Sequence, residues 1–333
     1  MLDNRIVLRN LNDNDLPKYK RIFNIFKESI ETNALKTGDD IPSINEFSKT
    51  YKFSRDTVYK AYSLLKTQGF IKSTPNKGFN IIDSRVKVLL LISTFKAYKE
   101  VLYHAFMENL PKNVIVDLQF HHYNARNFKS MLDLDHGNYY KYIVMGFEHP
   151  EVEEALSHID DDKLLLIDWK MNSSSHRNYV FQDFGQAFYN CLKDASHLFK
   201  KYKAIHFVYP EYSYHPWETV ESFEKFCEDY GFKFSVIKNS KAFVVQKHIA
   251  YISINDRILY DFLNQCRLSD LEVGEDVGIL SYNETPLKKL TYKSISTVSI
   301  DFAELGLKAA QFVTSNKAMQ TYMPTKLIIR ESL

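Results

Sequence analysis

The sequence predicts two units of different fold class: a small α+β unit of three helices and one β-hairpin, followed by a two-lobed α/β unit with parallel sheets. The first 82 residues carry apolar patterns of helical period that are separated by short turns. The rest of the chain alternates uniformly apolar strand patterns with helical ones, which is typical of parallel sheets covered on both faces. We therefore expect a first domain at residues 1–82, a linker at 83–86 and a second domain at 87–333.

Composition and charge narrow the class of protein. The chain has 333 residues, 45% of them hydrophobic and 25% charged, which is typical of a globular protein. No apolar run approaches the length of a membrane span and the N-terminus has no apolar signal core, so we expect a cytoplasmic protein. Its three cysteines are widely spaced, which predicts neither a disulfide framework nor a zinc site.

Charge is distributed unevenly along the chain. Residues 1–85 hold fifteen Lys or Arg and ten Asp or Glu, whereas the remaining residues hold 28 and 31. The basic excess of the first unit favours contact with a polyanion, although a solvated helical face would show the same charge.

The first unit begins with a helix predicted at about residues 16–32. A second helix is expected to open at Ser43, because Ser43 and Glu46 have the spacing of a capping box. Ser54 is expected to cap a third helix, whose apolar face has helical spacing and comprises Val58, Ala61, Tyr62 and Leu65. Residues 70–72 and 79–81 predict two strands joined by a turn.

Two short helices around a tight turn, followed by a hairpin, form a winged helix-turn-helix. In this fold the N-terminal end of the second helix of the pair enters the major groove of DNA. We expect Arg55 to read guanine through a bidentate contact, Thr57 and Lys60 to hold phosphates, and Lys77 at the hairpin tip to reach the DNA backbone. A winged helix that binds protein rather than DNA is the alternative.

Residues 35–81 resemble the DNA-binding head of the GntR family. The matching segments are Ile41-Pro42-Ser43, Phe53-Ser54-Arg55-Asp56-Thr57-Val58, Gly69-Phe70-Ile71 and Lys77-Gly78-Phe79. The family often has an arginine two residues after the serine of the Pro-Ser pair, where this chain has Asn45. The predicted DNA-binding residues are Ser43, Asn45, Ser54, Arg55, Thr57, Tyr59, Lys60, Lys77 and Gly78.

The second unit is predicted to contain two α/β halves. Strands are expected at 86–93, 114–120, 142–146, 164–168, 204–209, 234–237, 249–254 and 277–282, and helices at 101–109, 151–159, 186–199, 217–230, 256–266 and 302–315. Two such halves suggest two lobes around a cleft, and ligands of open α/β sheets bind at the carboxyl ends of the strands.

This unit resembles the sugar-binding core of the lactose-repressor family, which has a periplasmic-binding-protein-like fold. The resemblance is clearest after residue 249 and is carried by Ile252-Ser253-Ile254-Asn255-Asp256, residues 271–285, Ser296-Thr297-Val298 and Asp301-Phe302. It implies that Asp168 and Asn255 hydrogen-bond sugar hydroxyls. Asn283 stands where the family usually has aspartate, so an amide would bind hydroxyls there without adding charge.

A second departure from this family concerns an arginine just after the first strand of lobe two, where this chain reads His215-Pro216-Trp217. Its absence argues against an anionic effector. Trp169 and Trp217 then become candidates to stack on a sugar ring, or else pack in the core. The predicted ligand-binding residues are Asp168, Trp169, Trp217, Asn255 and Asn283.

A GntR-type head on a lactose-repressor-type sensor is a known combination among regulators of pentose or deoxyhexose use. The resemblance therefore implies a repressor of carbohydrate-utilisation genes, released or re-set by a neutral monosaccharide such as L-arabinose or L-fucose. It also implies operator DNA as partner, a homodimer, and no cofactor.

Enzyme and transport functions are the rival interpretations. No GxGxxG, P-loop, HExxH or GxSxG motif occurs in the right context. His121-His122 is not expected to bind a metal, because adjacent residues of a strand point to opposite faces. The second unit is too short for the aminotransferase-type GntR relatives, so we expect no enzyme. A sugar-transport receptor and a regulator whose effector is not a sugar stay open as alternatives.

Overall fold

The computed structural model describes residues 16–32, 34–67, 69–74, 78–82, 86–134, 139–171, 178–239, 243–291, 293–315 and 317–333. The chain divides into two compact units. One contains the residues up to 86 together with 111–115, and the other contains 87–110 and 116–333.

The first unit is a winged helix-turn-helix. Its elements are α1 (Lys18–Glu31), β1 (Asp40–Ile41), α2 (Ile44–Tyr51), α3 (Arg55–Thr67), β2 (Ile71–Thr74) and β3 (Gly78–Ile81). The three strands form an antiparallel sheet in the order β1-β3-β2. The short strand β1, which the sequence did not predict, extends the predicted hairpin to a third strand.

The predicted apolar pattern of this unit is confirmed by its core. Val58, Ala61, Tyr62 and Leu65 of α3 are all buried, against Ile22, Phe26 and Phe47 among others. The capping box at the start of α2 is formed as predicted, because Ser43 Oγ accepts from the Glu46 amide and Glu46 accepts from the Ser43 amide. The Tyr62 hydroxyl donates to the Pro42 carbonyl at 2.8 Å, which ties α3 to the start of α2.

The first lobe of the second unit is built on a six-stranded sheet in the order β14-β8-β7-β6-β4-β5. Strands β4, β6, β7, β8 and β14 pair in parallel. Its elements are β4 (Val86–Ile92), α4 (Ala97–Glu108), β5 (Val114–Phe120), α5 (Ala125–Leu134), β6 (Lys141–Val144), α6 (Pro150–Ser157), β7 (Leu164–Asp168), β8 (Tyr179–Gln182), α12 (Phe302–Thr314) and β14 (Gln320–Met323).

Helices α4 and α12 pack closely within this lobe. A Cβ at Gly306 of α12 would lie 2.3 Å from the Leu102 carbonyl oxygen of α4, so this position requires glycine.

The second lobe has a six-stranded sheet in the order β10-β9-β11-β12-β13-β15, parallel except for β15, which runs antiparallel to β13. Its elements are α7 (Gln186–Asp194), α8 (Ser196–Phe199), β9 (Ala204–Val208), α9 (Glu218–Tyr230), β10 (Phe234–Ile237), β11 (Ile249–Ser253), α10 (Asp256–Leu268), β12 (Gly278–Tyr282), α11 (Pro286–Leu290), β13 (Ser296–Ser299) and β15 (Lys326–Ile328).

The predicted alternation of strand and helix is confirmed, and most of the differences are at element ends. Helix α4 begins four residues before its predicted start, and the predicted helix at 186–199 is divided into α7 and α8. Helices α5 and α11 and strands β8, β13, β14 and β15 were not predicted. Residue 86, placed in the expected linker, is the first residue of β4, and residues 83–85 lie outside the described residues. None of the helices described is long and apolar enough to cross a membrane.

Candidate functional site

Helix α3 and the residue before it, Ser54, provide five of the nine predicted DNA-binding residues. Arg55, Tyr59 and Lys60 are exposed, and Tyr59 keeps 60% of its surface accessible. The guanidinium of Arg55 has no ion pair with any described residue. Because a tyrosine with so much free apolar surface gains nothing from the unit's own core, this face is suited to meet another molecule.

Two of the predicted residues are also used within the unit. Ser54 Oγ accepts from the Thr57 amide at 3.2 Å and lies 2.7 Å from Thr57 Oγ1, so both side chains serve the first turn of α3. Lys60 Nζ lies 2.9 Å from Asp56 Oδ2, which raises the pKa of Lys60. Both partners of that pair are exposed, so it costs little to break on DNA binding.

The other predicted DNA-binding residues flank α2 and β3. The Ser43 hydroxyl is occupied as the cap of α2, and Asn45 is exposed in the first turn of that helix. Gly78 begins β3 with φ +85°, a backbone conformation that favours glycine. Lys77 lies outside the described residues.

A cleft of about 300 Å³ lies at the carboxyl ends of the strands of the second unit. Both lobes line it. Four of the five predicted ligand-binding residues face the cleft: Asp168, Trp169, Asn255 and Asn283. The prediction that ligands bind at the strand ends of this unit therefore has a matching cavity.

Asp168 is the acid of the cleft, and it ends β7 in the left-handed region at φ +76°. Its carboxylate accepts a hydrogen bond from the Gln182 side-chain amide. Burial raises the pKa of Asp168, while the charge of Lys99 and the Gln182 bond act in the opposite direction. The residue is thus a desolvated hydrogen-bonding group whose direction is fixed by β8.

Lys99 places a second charge beneath the cleft. Its side chain is 1% exposed and donates to Ser93 Oγ. Burial lowers the pKa of Lys99 to about 8, and the attraction of Asp168 partly offsets that effect. The charges of Asp168 and Lys99 therefore compensate each other. Among the described residues that line the cleft, the exposed Lys96 is the one charged residue besides Asp168.

Three buried polar atoms at the cleft have no hydrogen-bond partner among the described residues: Gln182 Oε1, His215 Nε2 and Asn283 Oδ1. Buried polar atoms are paired in most proteins, and an unpaired one costs about 1–3 kcal/mol. Three of them around one carboxylate indicate a site built to hydrogen-bond a polar ligand.

His215 adds an uncharged group to this set. Its ring makes edge contacts with Phe184 and Tyr282, with centroids 5.1 and 4.6 Å apart. Enclosure lowers the pKa of His215 to about 3, so the imidazole is neutral near pH 7. A neutral ring can exchange a hydrogen bond with a hydroxyl but supplies no charge for an anion.

Asn255 has a structural role in addition to facing the cleft. It is the N-cap of α10, where its Oδ1 accepts from the Ile258 amide at 3.0 Å. The side-chain NH₂ is left to serve as a donor toward the cleft. Asn283 directly follows β12 and has φ +62°. Asp168 and Asn283 are therefore both held in a strained left-handed backbone conformation.

Aromatic rings form the walls of the cleft. Tyr123 of the first lobe stacks on Tyr214 of the second, with ring centroids 4.1 Å apart and planes 1° from parallel. This stack spans the two lobes within the second unit. Trp169 also lines the cleft and packs partly against the cores of both lobes.

The placement of Trp217 differs from the prediction. Trp217 is the N-cap of α9, is 44% exposed, and packs edge-on against Tyr209 with Lys238 over its ring. It is not among the residues that line the cleft. We therefore leave Trp217 out of the proposed ligand site.

Several cleft residues were missed from the sequence. Lys99 lies on the buried face of α4, three residues before Leu102 and seven before Phe106. This helical spacing is the sequence signal that could have identified Lys99 as a buried lysine. Gln182 ends a strand that was not predicted. Tyr123 lies three residues after the end of β5, which was predicted correctly, but Tyr123 belongs to no recognisable sequence motif.

The second unit is expected to lose stability as the pH is lowered, because His121 becomes protonated. Its Nδ1 accepts from the Tyr123 amide, so Nε2 carries the proton and donates to the Met145 carbonyl at 2.9 Å. Burial lowers the pKa of His121 to about 4. An unfolded histidine protonates near about 6.5, so stability present above that pH is lost as the pH falls toward 4.

His121→Gln retains one donor and one acceptor but cannot titrate. We expect its urea midpoint to fall less than that of wild type between pH 7 and pH 5, with the exposed His104→Gln behaving like wild type. Equal pH slopes for His121→Gln and wild type would contradict this prediction.

Comparisons with known proteins agree with both units. Residues 18–81 match the model of bacterial regulatory proteins of the gntR family, and residues 198–333 match that of a periplasmic binding protein-like domain. The NTD biosynthesis operon regulator NtdR of Bacillus subtilis is 22% identical over 327 residues, which cover 87% of this chain and 93% of NtdR.

Solved structures show the same fold for the second unit. The trehalose repressor from Escherichia coli covers 72% of this chain and 99% of its own, with a TM-score of 0.62 and 16% identity. A LacI family regulator from Enterococcus faecium, solved with bound ribose, covers 74% of this chain and 98% of its own, with a TM-score of 0.61 and 14% identity.

The fold and these matches define the class: the chain is a transcription regulator with a DNA-binding winged helix-turn-helix. More particularly, it joins a gntR-type helix-turn-helix domain to a periplasmic-binding-protein-like domain with the fold of LacI family repressors.

Proposed function

We propose that the chain is a cytoplasmic repressor of carbohydrate-utilisation genes that binds operator DNA through α3 and an uncharged monosaccharide in its cleft. The observation that carries the ligand class is the set of three unpartnered polar atoms, on Gln182, His215 and Asn283, around the Asp168 carboxylate. A polyol supplies the hydroxyl donors that these atoms need.

Size and charge support a small uncharged ligand. Ligand pockets commonly measure about 300–1,000 Å³, so a cleft of about 300 Å³ suits a single sugar ring rather than an oligosaccharide. Asp168 is already compensated by Lys99, and His215 is neutral. No arginine lines the cleft, so the described residues offer no bidentate fork for a phosphate or carboxylate.

The aromatic walls suit the apolar face of a sugar ring. Of the two tryptophans that the sequence suggested, Trp169 lines the cleft, and the stacked rings of Tyr123 and Tyr214 line it as well. The LacI family regulator with bound ribose shows that a monosaccharide can occupy this fold. L-arabinose and L-fucose are the first effectors to test.

Signal transfer requires that the sugar bind two states of the regulator with different affinity. The Tyr123–Tyr214 stack joins the lobes across the cleft, so a sugar held by both lobes favours the closed arrangement. By analogy with repressors of this fold, we propose that the sugar-free protein binds the operator and that the sugar releases it.

A second copy of the chain is the proposed partner of an apolar surface on α10 and α11. Tyr260, Leu287 and Leu290 are 66%, 70% and 81% exposed there. Reading two operator half-sites needs two copies of α3, and a homodimer would cover these side chains. Sedimentation equilibrium of wild type and Leu290→Glu tests this surface, and a monomeric wild type would contradict the dimer.

A thermal-shift panel tests the ligand class. It contains L-arabinose, L-fucose, D-ribose, D-galactose and, as charged comparators, ribose 5-phosphate and glucose 6-phosphate. Because a ligand at free concentration L that binds only the folded state stabilises it by RT ln(1 + L/Kd), one uncharged sugar is expected to raise the melting temperature in proportion to the logarithm of its concentration above Kd. A shift with the phosphates alone, or with no member of the panel, would reject the proposed effector class.

A further inference from the structure

Lys288 is a buried lysine outside the set of residues that line the cleft. It lies on α11, and its side chain is 3% exposed. A buried ammonium is costly unless each of its three N–H groups finds an acceptor. Where those three bonds go therefore indicates what the residue does.

All three acceptors belong to the two loops that carry the amide residues of the cleft. Lys288 Nζ donates to the carbonyl oxygens of Tyr282 at 2.8 Å and Asn283 at 2.7 Å, at the carboxyl end of β12. It also pairs with Asp256 Oδ1 at 3.1 Å, at the start of α10. Asn255, the other cleft amide, immediately precedes Asp256.

The opposite side of the same helix is exposed. Leu287 and Leu290, on either side of Lys288, belong to the apolar surface that we assign to a second copy. Tyr260 of that surface lies one turn after Asp256 on α10. One ammonium thus connects two backbone carbonyls at the end of β12 and the Asp256 carboxylate at the start of α10 to the two helices of the exposed apolar surface.

We propose that Lys288 is a positioning residue that holds the Asn283 turn and the start of α10 as one body with α11, so that sugar capture changes the α10–α11 surface. This inference rests on the proposed sugar cleft and dimer surface. It acts through backbone: Asn283 has φ +62°, and bonding the carbonyls on both sides of its Cα fixes where the Asn283 amide points.

The hydrogen-exchange experiment compares wild type, Lys288→Met and Lys289→Met without sugar. Methionine keeps the length of the side chain and removes the three bonds. Lys289 is the matched control, because it is the next residue of the same helix but is exposed. Peptides covering 254–260 and 282–287 report on the two loops, and β6 peptides report on global unfolding.

For Lys288→Met we expect faster exchange in both loop peptides and unchanged exchange in β6, with Lys289→Met like wild type. The Ile258 amide, which is bonded to Asn255, and the Asn283 amide, which is bonded to Val298, are the expected reporters. If exchange rises in 282–287 while 254–260 stays at the wild-type rate, Lys288 does not join the loops and the inference is wrong.

The binding experiment uses the panel sugar that stabilises wild type. Lys288→Met is expected to weaken its binding about tenfold, and the losses from Lys288→Met and Asn283→Ala should not add, because both act on one contact. Losses from Lys288→Met and Asp168→Ala should add, since Asp168 lies on the other lobe.

Two outcomes separate the inference from the proposed function. If wild type binds no sugar of the panel, the proposed effector fails, and the exchange rates still decide whether Lys288 joins the two loops. If wild type binds a sugar and Lys288→Met binds it equally well, the cleft stands and the positioning role is rejected.

Discussion

Asp168→Ala is expected to remove the thermal shift that wild type shows at sugar concentrations near its Kd and to leave operator binding without sugar intact. Asp168 is the desolvated acid of the cleft, and a hydrogen bond to a charged group contributes about 1.5–3 kcal/mol. That corresponds to a loss of roughly 10- to 150-fold in sugar affinity. The measurement is the sugar concentration at which the melting temperature begins to rise, which increases by the same factor as Kd.

Two comparators make this result specific. Asp168→Asn keeps the shape of the side chain, and asparagine tolerates the left-handed backbone of this position better than alanine does. It should therefore be the more stable variant while still binding sugar weakly. Asp133→Ala removes an exposed carboxylate of the same lobe and should respond to sugar as wild type does. A wild-type response from Asp168→Ala would remove Asp168 from the site.

Removing Asp168 also tests its relation to Lys99. The variant leaves the buried ammonium without its compensating charge, so the pKa of Lys99, now about 8, should fall further. We expect a lower melting temperature for Asp168→Ala at pH 7 and a smaller deficit at pH 9, where Lys99 is already largely neutral. An identical deficit at both pH values would show that the two groups are not coupled.

The position of the cleft could be predicted from the sequence, but several of the polar side chains that surround it could not. Asp168, Asn255 and Asn283 each follow an apolar strand, and the ends of parallel strands meet at one edge of a sheet, so their convergence was predictable. Gln182 and Lys99 were not found, because each depends on an element boundary that local patterns fix poorly. Strand β8 was not predicted, and the predicted start of α4 at residue 101 lies after Lys99.

Trp217 shows a second limit of prediction from sequence, which is the direction of side chains in a loop. Trp217 and His215 are two residues apart, and sequence alone gave no reason to prefer one of them for the cleft. The structure caps α9 with Trp217 and encloses His215 against Phe184 and Tyr282. Side-chain direction in an irregular loop is set by tertiary packing, which no periodicity records.

The winged unit was more predictable because its signals are local. The Ser43 capping box fixes where α2 begins, and the apolar spacing of α3 fixes which of its faces is buried. Once Val58, Ala61 and Leu65 are buried, Asp56 and Lys60 lie on the opposite face, whereas Arg55 is exposed as the first residue of the helix. What sequence could not show is that Lys60 is paired with Asp56 in the free protein.

Arg55→Ala is expected to cost the most in operator recognition. The guanidinium is exposed at the first residue of α3, has no ion pair to release among the described residues, and has the fork that reads guanine in the major groove. A bidentate contact of this kind contributes about 1–3 kcal/mol of discrimination. Asn45 offers no charge in the first turn of α2, so we expect Arg55 to contribute more of the base recognition in this chain.

The measurement is the ratio of affinities for an operator selected from a random DNA pool and for the same operator with its contacted guanine replaced. Arg55→Ala should lower this ratio roughly 5- to 100-fold. Arg55→Lys keeps the charge but loses the fork, so it should lose discrimination while keeping the salt dependence of binding. Lys60→Met should do the reverse, weakening all DNA alike and reducing the salt slope by about one phosphate contact. If Arg55→Ala discriminates as wild type does, α3 does not dock on DNA by its N-terminal end.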